Sequence, residues 1–192
     1  DYILRALSMP ADYGDIAKAY VTQDVVSDLV LNFYVLAFNS NKNLVAPSTL
    51  LKENLKSYLN QYRMLTDAIN IKNAYYINIG VNFDISVISG FNNNEILTAC
   101  INILKDYFII DKWQINQPIV ISEIYTKLFQ VKGVQSISKV EIVNKQGGLY
   151  SSYGYDIASA TKNNIIYPSL DPSVFEVRYP NQDIQGRIIN LW

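Results

Sequence analysis

The chain has 192 residues, which is enough for one sizeable domain with extensions, and its single cysteine excludes an internal disulfide. Hydrophobic residues make up 49% and charged residues 17%, below the roughly 25% charged of an average globular domain, which indicates a folded protein with little charged surface. The net charge of −1, with scattered Lys and Arg, argues against a nucleic-acid partner, and no apolar run approaches the ~20 residues that span a bilayer.

The first third of the chain predicts a helix, a strand and a second helix. "SMPADYGDIAKAY" predicts a short helix over Ser8–Tyr20, because Pro10 and Asp12 suit a first helical turn. "LVLNFYVLAF" is apolar on both faces and predicts a strand that is covered on both sides. "PSTLLKENLKSYLNQY" predicts a helix with Ser48 as its N-cap. Its apolar stripe consists of Leu51, Leu55, Tyr58, Leu59 and Tyr62.

The strongest strand signal runs from Tyr75 to Val87. Apolar and polar residues alternate strictly there, apart from the first pair of tyrosines. A period of two places one set of side chains in the core and the other set on a polar face. We therefore expect the second set to be exposed to solvent: Asn78, Asn82, Asp84 and Ser86.

Two helices and a strand follow. Asn92 and Glu95 have the spacing of a capping box at the start of a long apolar-faced helix. A shorter helix is predicted from about Ser122, with Gly133 as its left-handed C-terminal stop. "GVQSISKVEIVN" predicts a strand whose alternation slips between Ile137 and Val140, which indicates a bulge.

The order of elements predicts an α+β fold. We expect a small mixed sheet of about three main strands with helices packed on one face, plus an N-terminal helix and an extended C-terminal arm. The predicted divisions are an N-terminal helix and lead-in at 1–27, an α+β core at 28–145 and a Tyr-rich arm at 146–192. Because the first residue is Asp1, we expect the chain to be a piece of a longer polypeptide or a processed product.

No pattern for catalysis stands out. The chain has no histidine, which removes the commonest general base and most zinc sites, and it has neither a phosphate-binding glycine loop nor a nucleophile elbow. Cys100 lies on an apolar helix face and is interpreted as a core residue. Asp12, Glu95 and Glu123 occupy first helical turns, where capping explains them. We therefore predict no catalytic, cofactor-binding or metal-binding residue, and no enzymatic activity.

Two long stretches resemble a known family. "INIGVNFDISVISGFNNNEILTACINILKDYF" and "QPIVISEIYTKLFQVKGVQSISKVEIVN" are similar to the baseplate J-like family of phage tails. "RALSMPADYGDIAKAYV" and "NNIIYPSLDPSVFEVRYPNQDIQGRI" resemble the C-terminal part of the baseplate wedge subunit of T-even-type contractile phages. The order and spacing of these segments carry the resemblance, which covers nearly all of the chain.

The resemblance implies a structural subunit of the virion. It would lie in the inner baseplate ring, assembled in the host cytoplasm, with partners that are copies of itself in dimer contacts and other baseplate wedge proteins. No catalytic residue comes with the family, and neither nucleic acid nor a membrane is an expected partner.

The C-terminal segment is rich in rings and large aliphatic side chains, too apolar for a disordered linker. Tyrosine offers a large contact area with a polar tip, which suits interfaces. We therefore expect an arm that packs on a neighbouring subunit and in part on its own core. The alternative is a tail that completes its own sheet. The predicted interface residues are Tyr150, Tyr153, Tyr155, Ile165, Ile166, Tyr167, Phe175, Tyr179 and Trp192.

Two further interpretations of the tyrosines stay open. The 15 tyrosines could follow from a genome with AT-rich codons. Tyrosine and asparagine also suit sugars, so a carbohydrate-binding or carbohydrate-active module is the alternative function.

Overall fold

The computed structural model describes residues 2–62 and 68–189, and within them the fold is mixed α+β with three small sheets. The α-helices are α1 (Tyr2–Leu7), α2 (Thr49–Asn60), α3 (Asn93–Tyr107), α4 (Ile121–Phe129), α5 (Ile157–Ala160) and α6 (Pro180–Asp183). The strands are β1 (Lys18–Gln23), β2 (Val30–Phe38), β3 (Leu44–Val45), β4 (Ala68–Asn73), β5 (Tyr75–Val87), β6 (Ile119–Val120), β7 (Val134–Asn144), β8 (Thr161–Lys162), β9 (Ile165–Ile166), β10 (Ser173–Glu176) and β11 (Ile184–Ile188).

The chain divides into two compact units, and unit 1 comprises residues 1–76 and 170–174. Its sheet is centred on β2, which pairs antiparallel with β1 and β3 and parallel with β4. The apolar face of α2 packs into the unit's core beside β2, which confirms the predicted stripe except for Tyr62, which lies beyond the end of α2 and is 42% exposed. The predicted covered strand is present, since Val35 and Leu36, on opposite faces of β2, are both 0% exposed. That core contains Ala6, Phe33, Val35, Leu55, Leu59 and Ile69.

The predicted helix over Ser8–Tyr20 is wrong. Only a 3-10 turn forms at Ala11–Tyr13, Gly14 follows it at φ +109°, and the chain then enters β1. The pairing of β1 with β2 along six residue pairs outweighs the local helical signal, since tertiary pairing readily overrides weak propensity. The helix at this end of the chain is α1, which lies earlier.

Unit 2 comprises residues 77–169 and 175–192 and is built on β5. Strand β7 pairs antiparallel with β5 from Ile79↔Asn144 to Val87↔Val134, and β11 pairs parallel with β5 from Ile184↔Val81 to Ile188↔Ile85. Strand β10 is also a neighbour of β5 in this sheet, while β6, β9 and β8 form a separate small sheet. Helix α3 contacts β11, α4 contacts β7, and the two helices contact each other.

Several local predictions are confirmed. Strand β5 has the predicted bounds, and Ser48 caps α2 by accepting a hydrogen bond from the Leu51 N–H at 3.2 Å. Asn92 caps α3 through the N–H groups of Asn94 and Glu95. In β7, Lys139 pairs with Asp84 and Ile137 with Ile85, which leaves Ser138 as the extra residue of the predicted bulge.

The prediction of about three strands with an extended arm is corrected. The described residues form eleven strands. The segment 146–192 contributes β8, β9, β10 and β11, and β10 and β11 pair with β5. Most strands that the sequence did not predict are short or pair with strands far away in the chain, so their local sequence patterns are weak.

Candidate interface residues

The predicted interface residues fall into four settings. Ile166 and Phe175 are buried, each 1% exposed. Tyr150, Tyr155, Ile165 and Tyr179 are half-buried. Tyr153 and Tyr167 are exposed, at 45% and 46%. Trp192 lies outside the described residues. Tyr153 and Tyr167 therefore keep the largest accessible area, and binding of any of the nine to another protein stays a prediction.

Tyr150 is tied to its own unit by a carboxylate. Its hydroxyl donates to Asp183 Oδ1 at 2.6 Å, and the buried Asp183 accepts the Tyr179 N–H at Oδ2 at 2.9 Å. The rings of Tyr150 and Tyr179 meet edge to face, with centroids 5.5 Å apart. Burial, and then the hydrogen bond to Asp183, raise the pKa of Tyr150 to about 12. Both tyrosines therefore make these contacts within unit 2.

Tyr155 is a second internal contact of the C-terminal segment. Its N–H donates to Asn144 Oδ1 at 3.0 Å, its hydroxyl donates to the Tyr167 carbonyl, and its ring packs edge-on against Phe175. Burial raises the pKa of Tyr155. The backbone of Tyr167 is fixed further by its N–H, which donates to the Ala160 carbonyl at 3.1 Å. The exposed Tyr167 ring therefore stands on an ordered backbone.

The polar face of β5 is partly buried, contrary to the expectation for Asn78 and Ser86. Asn78 is 0% exposed; its Nδ2 donates to Glu176 Oε2 at 2.7 Å, and its Oδ1 accepts the Ser151 N–H at 2.7 Å. Ser86 is 3% exposed, and its Oγ lies 2.7 Å from that of Ser136. A polar side chain can be buried when its hydrogen bonds are satisfied. The segment after β7 supplies both partners of Asn78, and no local pattern could have found them.

The rest of this face carries paired charges. Arg187 binds Asp84 with two bonds, from Nε to Oδ1 at 3.1 Å and from Nη2 to Oδ2 at 2.7 Å. This hydrogen bonding raises the pKa of Arg187. Lys139 and Glu141 form a neighbouring pair at 3.0 Å. Asp84 is 16% exposed, but its partner Arg187 is 73% exposed, and Lys139 and Glu141 are also exposed. Solvent screening therefore leaves both pairs a small contribution to stability.

One exposed apolar feature was missed in the sequence. Val25 and Val26 lie in the turn between β1 and β2 and are 102% and 94% exposed. Asp24 orders this turn: its Oδ1 accepts the Val26 N–H at 3.0 Å and its Oδ2 accepts Asn32 Nδ2 at 2.9 Å. These hydrogen bonds lower the pKa of Asp24, and the bond from Asn32 has the larger effect. The sequence carried a signal for this exposed feature, namely two adjacent valines between acidic residues in a turn. These valines are a second candidate surface for contact with another protein, in unit 1.

The side chains with potential chemistry are in structural positions. Cys100 is fully buried on α3, and burial raises the pKa of its thiol to about 11. The hydroxyl of Tyr107 donates to Glu123 at 2.7 Å. Across residues 2–62 and 68–189, no group of three or more acidic or Cys side chains is arranged to hold a metal ion. Over the same residues, no helix combines the length and hydropathy needed to cross a bilayer.

The fold is similar to that of a solved baseplate chain. The match is to one chain in the cryo-EM structure of the anti-feeding prophage baseplate, six-fold symmetrised, with a TM-score of 0.52 and 15% sequence identity. It covers 91% of this chain and 36% of that one, so this chain spans about a third of the protein it matches. No protein-family model matches the sequence, and no curated protein matches it. At this identity the likeness establishes a shared fold.

Proposed function

We propose that this chain is a structural, non-enzymatic part of a contractile-tail baseplate. In finer terms, we propose a baseplate J-like wedge subunit that assembles with copies of itself and with neighbouring baseplate proteins in the virion. The observation that carries the proposal is the fold likeness to a chain of the anti-feeding prophage baseplate over 91% of this chain. The sequence resemblance to the baseplate J-like family adds to it, because the elements that carry that resemblance, β5, α3, α4 and β7, occur in the expected order.

The chemistry of the described surface fits a role in binding. Tyr153, Tyr167, Val25 and Val26 present apolar area on ordered backbone, and rigid side chains lose little conformational entropy on association. The buried carboxylates of Glu176 and Asp183 are engaged in hydrogen bonds that hold unit 2 together. These hydrogen bonds fit a structural role for the two carboxylates.

The test is the location of the protein in particles. The full-length polypeptide, tagged at one terminus, is produced with its native tail genes, and the particles are separated on a density gradient and labelled with gold against the tag. We expect gold at the end of the tail that meets the host. Gold at the head, or tag that stays with free protein while complete tails form, would overturn the proposal. Saturable binding to a glycan panel would instead favour the carbohydrate-binding alternative.

A further inference from the structure

The outer edge of β4 in unit 1 has ordered backbone groups that point away from its own sheet. Strand β4 pairs with β2 in parallel, and the Ala68 N–H donates to the Leu29 carbonyl while the Ala74 N–H donates to the Val35 carbonyl. In a parallel ladder, alternate residues of a strand bond to the same neighbour. The N–H and C=O groups of Ile69, Ile71 and Asn73 therefore point away from β2. No strand among residues 2–62 and 68–189 pairs with this edge.

The edge opens onto a groove. The groove has a volume of about 390 Å³ and lies between β4 and the first turns of α2, with Ile71 half-buried inside it. Lys52, Glu53 and Lys56 line its helix side. Along the strand, Asn70, Lys72 and Asn73 are exposed. The edge of β4 therefore borders a groove that offers apolar area and charges of both signs.

We infer that this edge pairs with the same edge of a second copy, antiparallel about a two-fold axis through Ile71. In that register Ile71 faces Ile71 of the other copy, and Ile69 faces Asn73. These are the residues whose backbone groups point outward, so each copy supplies donors where the other supplies acceptors. The result is one continuous sheet across two copies, an isologous contact in which the same patch serves both sides.

The side chains favour this register over a slipped one. Lysine on an edge strand commonly prevents pairing, but here Lys72 faces Asn70 of the other copy and not the other Lys72. The Lys72 ammonium lies 5.7 Å from the centroid of the Tyr34 ring, directed over its own sheet. A slip of one residue would place Ile71 opposite Asn70 or Lys72 of the other copy, whose backbone groups bond to their own β2, so the ladder between the copies could not form. On the helix side, the Lys52 ammonium donates to Asn73 Oδ1 of its own copy at 3.2 Å, and Glu53 lies between Lys52 and Lys56 in the sequence.

This inference deepens the proposed structural role and rests on it for its biological setting. It names the surface through which copies meet, whereas the gold-labelling experiment reports only where the protein is located. Failure of one leaves the other standing: a baseplate subunit can lack this contact, and a dimer of this kind can form outside a baseplate.

The first test is self-association of the chain by sedimentation velocity, from about 1 to about 200 µM. We expect a concentration-dependent dimer. Ile71→Lys places like charges opposite each other on the two-fold axis and should weaken the dimer at least about tenfold. Asn60→Lys, at an exposed position of α2 outside the groove, is the matched control and should leave the dimer unchanged. A chain that stays monomeric throughout, or a folded Ile71→Lys variant that dimerises normally, overturns the inference.

The second test reads the register directly and uses a milder substitution. Ile71→Cys should form a disulfide-linked dimer under mild oxidation, since directly paired residues have Cα atoms about 5.5 Å apart, within disulfide reach. Asn73→Cys is the control: two such residues would lie about 13 Å apart along the strands, beyond that reach. The native Cys100 is fully buried and leaves a low background. Equal cross-linking of the two variants, or none in either, overturns the proposed pairing.

Discussion

Asn78 and Glu176 are joined by a 2.7 Å hydrogen bond between side chains that are 0% and 3% exposed, across 98 positions of the chain. The bond links the central strand β5 to β10. Asn78 also accepts the Ser151 N–H. A single side chain of β5 therefore connects two separate parts of the C-terminal segment to the sheet of unit 2.

Asn78→Ala should reduce the free energy of unfolding by about 2–4 kcal/mol, because it leaves a buried carboxylate oxygen and a buried N–H without this partner. Urea unfolding followed by circular dichroism measures the change. Asn82→Ala, at a partly exposed position of the same strand, is the matched control and should stay within about 0.5 kcal/mol of the parent. Equal effects of the two substitutions would mean that the network around Asn78 adds no stability.

The Tyr150 hydroxyl gives a pH-dependent contribution. Its pKa is raised to about 12 by burial and by Asp183, so the folded state favours the protonated phenol. The stabilisation is complete below the ordinary tyrosine pKa of about 10 and is lost as the pH rises from there through about 12. At pH 7, Tyr150→Phe should cost about 1–3 kcal/mol, because buried Asp183 loses a donor.

The measurement for Tyr150 is urea unfolding of parent and Phe variant between pH 8 and 11. The difference in unfolding free energy should shrink toward the alkaline end, because only the parent loses this contribution there. Other tyrosines titrate in both proteins and cancel in the difference. A difference that stays constant over this range would contradict the assignment.

Local signals predicted much of the fold. Ser48 and Asn92 cap their helices because a side-chain acceptor before a helix satisfies free N–H groups whatever the tertiary context. The slip in β7 marked a bulge because alternation is a property of the strand itself. By contrast, β11 pairs with β5 about 100 positions away, and no local pattern specifies a partner at that distance.

The candidate interface was predictable only in part. Composition identified the ring-rich segment, but it could not separate Phe175, which is buried in unit 2, from Tyr167, which is exposed. That distinction depends on where Tyr155 and Asn144 hold the chain, which is a property of the folded unit. The valines at positions 25 and 26 were visible as an apolar pair in a turn, while the edge of β4 required the register of its pairing with β2.

Gly133 and Gly90 allow backbone strain to be separated from crowding. Both have positive φ, +110° and +94°. A Cβ at Gly133 would lie 2.6 Å from Ile96 Cδ1 and 2.9 Å from Phe91 Cδ1, whereas a Cβ at Gly90 would meet nothing within 4 Å. Gly90→Ala should therefore cost about 1–2 kcal/mol from conformation alone, and Gly133→Ala about 2–4 kcal/mol, since crowding adds to it.

Chemical denaturation of the two glycine variants, with the parent beside them, measures both costs. Because both glycines have positive φ, it is the crowding at position 133 that predicts Gly133→Ala to be the more damaging. Gly133 is not the predicted stop of α4, which ends at Phe129 with Gln130 as its C-cap. If the two variants have the same unfolding midpoint, the packing of Ile96 and Phe91 against this turn does not constrain position 133.

Removal of Gly147–Trp192 tests how far the folding of unit 2 depends on the C-terminal segment, whose strands β10 and β11 pair with β5. The segment carries Phe175, Val177 and Ile184, all nearly fully buried, as well as strand β11. Full burial of side chains of this size contributes about 1.5–3 kcal/mol each, and a domain has a total stability of only about 5–15 kcal/mol. A chain that ends at Gln146 should therefore lose cooperative unfolding of unit 2 and bind a hydrophobic dye.

The control for this truncation is a chain that ends at Ile189, which keeps every described strand and should unfold like the parent. Circular dichroism, dye fluorescence and sedimentation are compared for the three chains. A chain ending at Gln146 that stays folded and monomeric, beside an oligomeric parent, would contradict this prediction, because the segment would then be needed for association and not for folding. Loss of folding in that chain, with the longer control intact, would show that the segment serves first to fold unit 2. Tyr153 and Tyr167 would then be the most exposed of its described tyrosines.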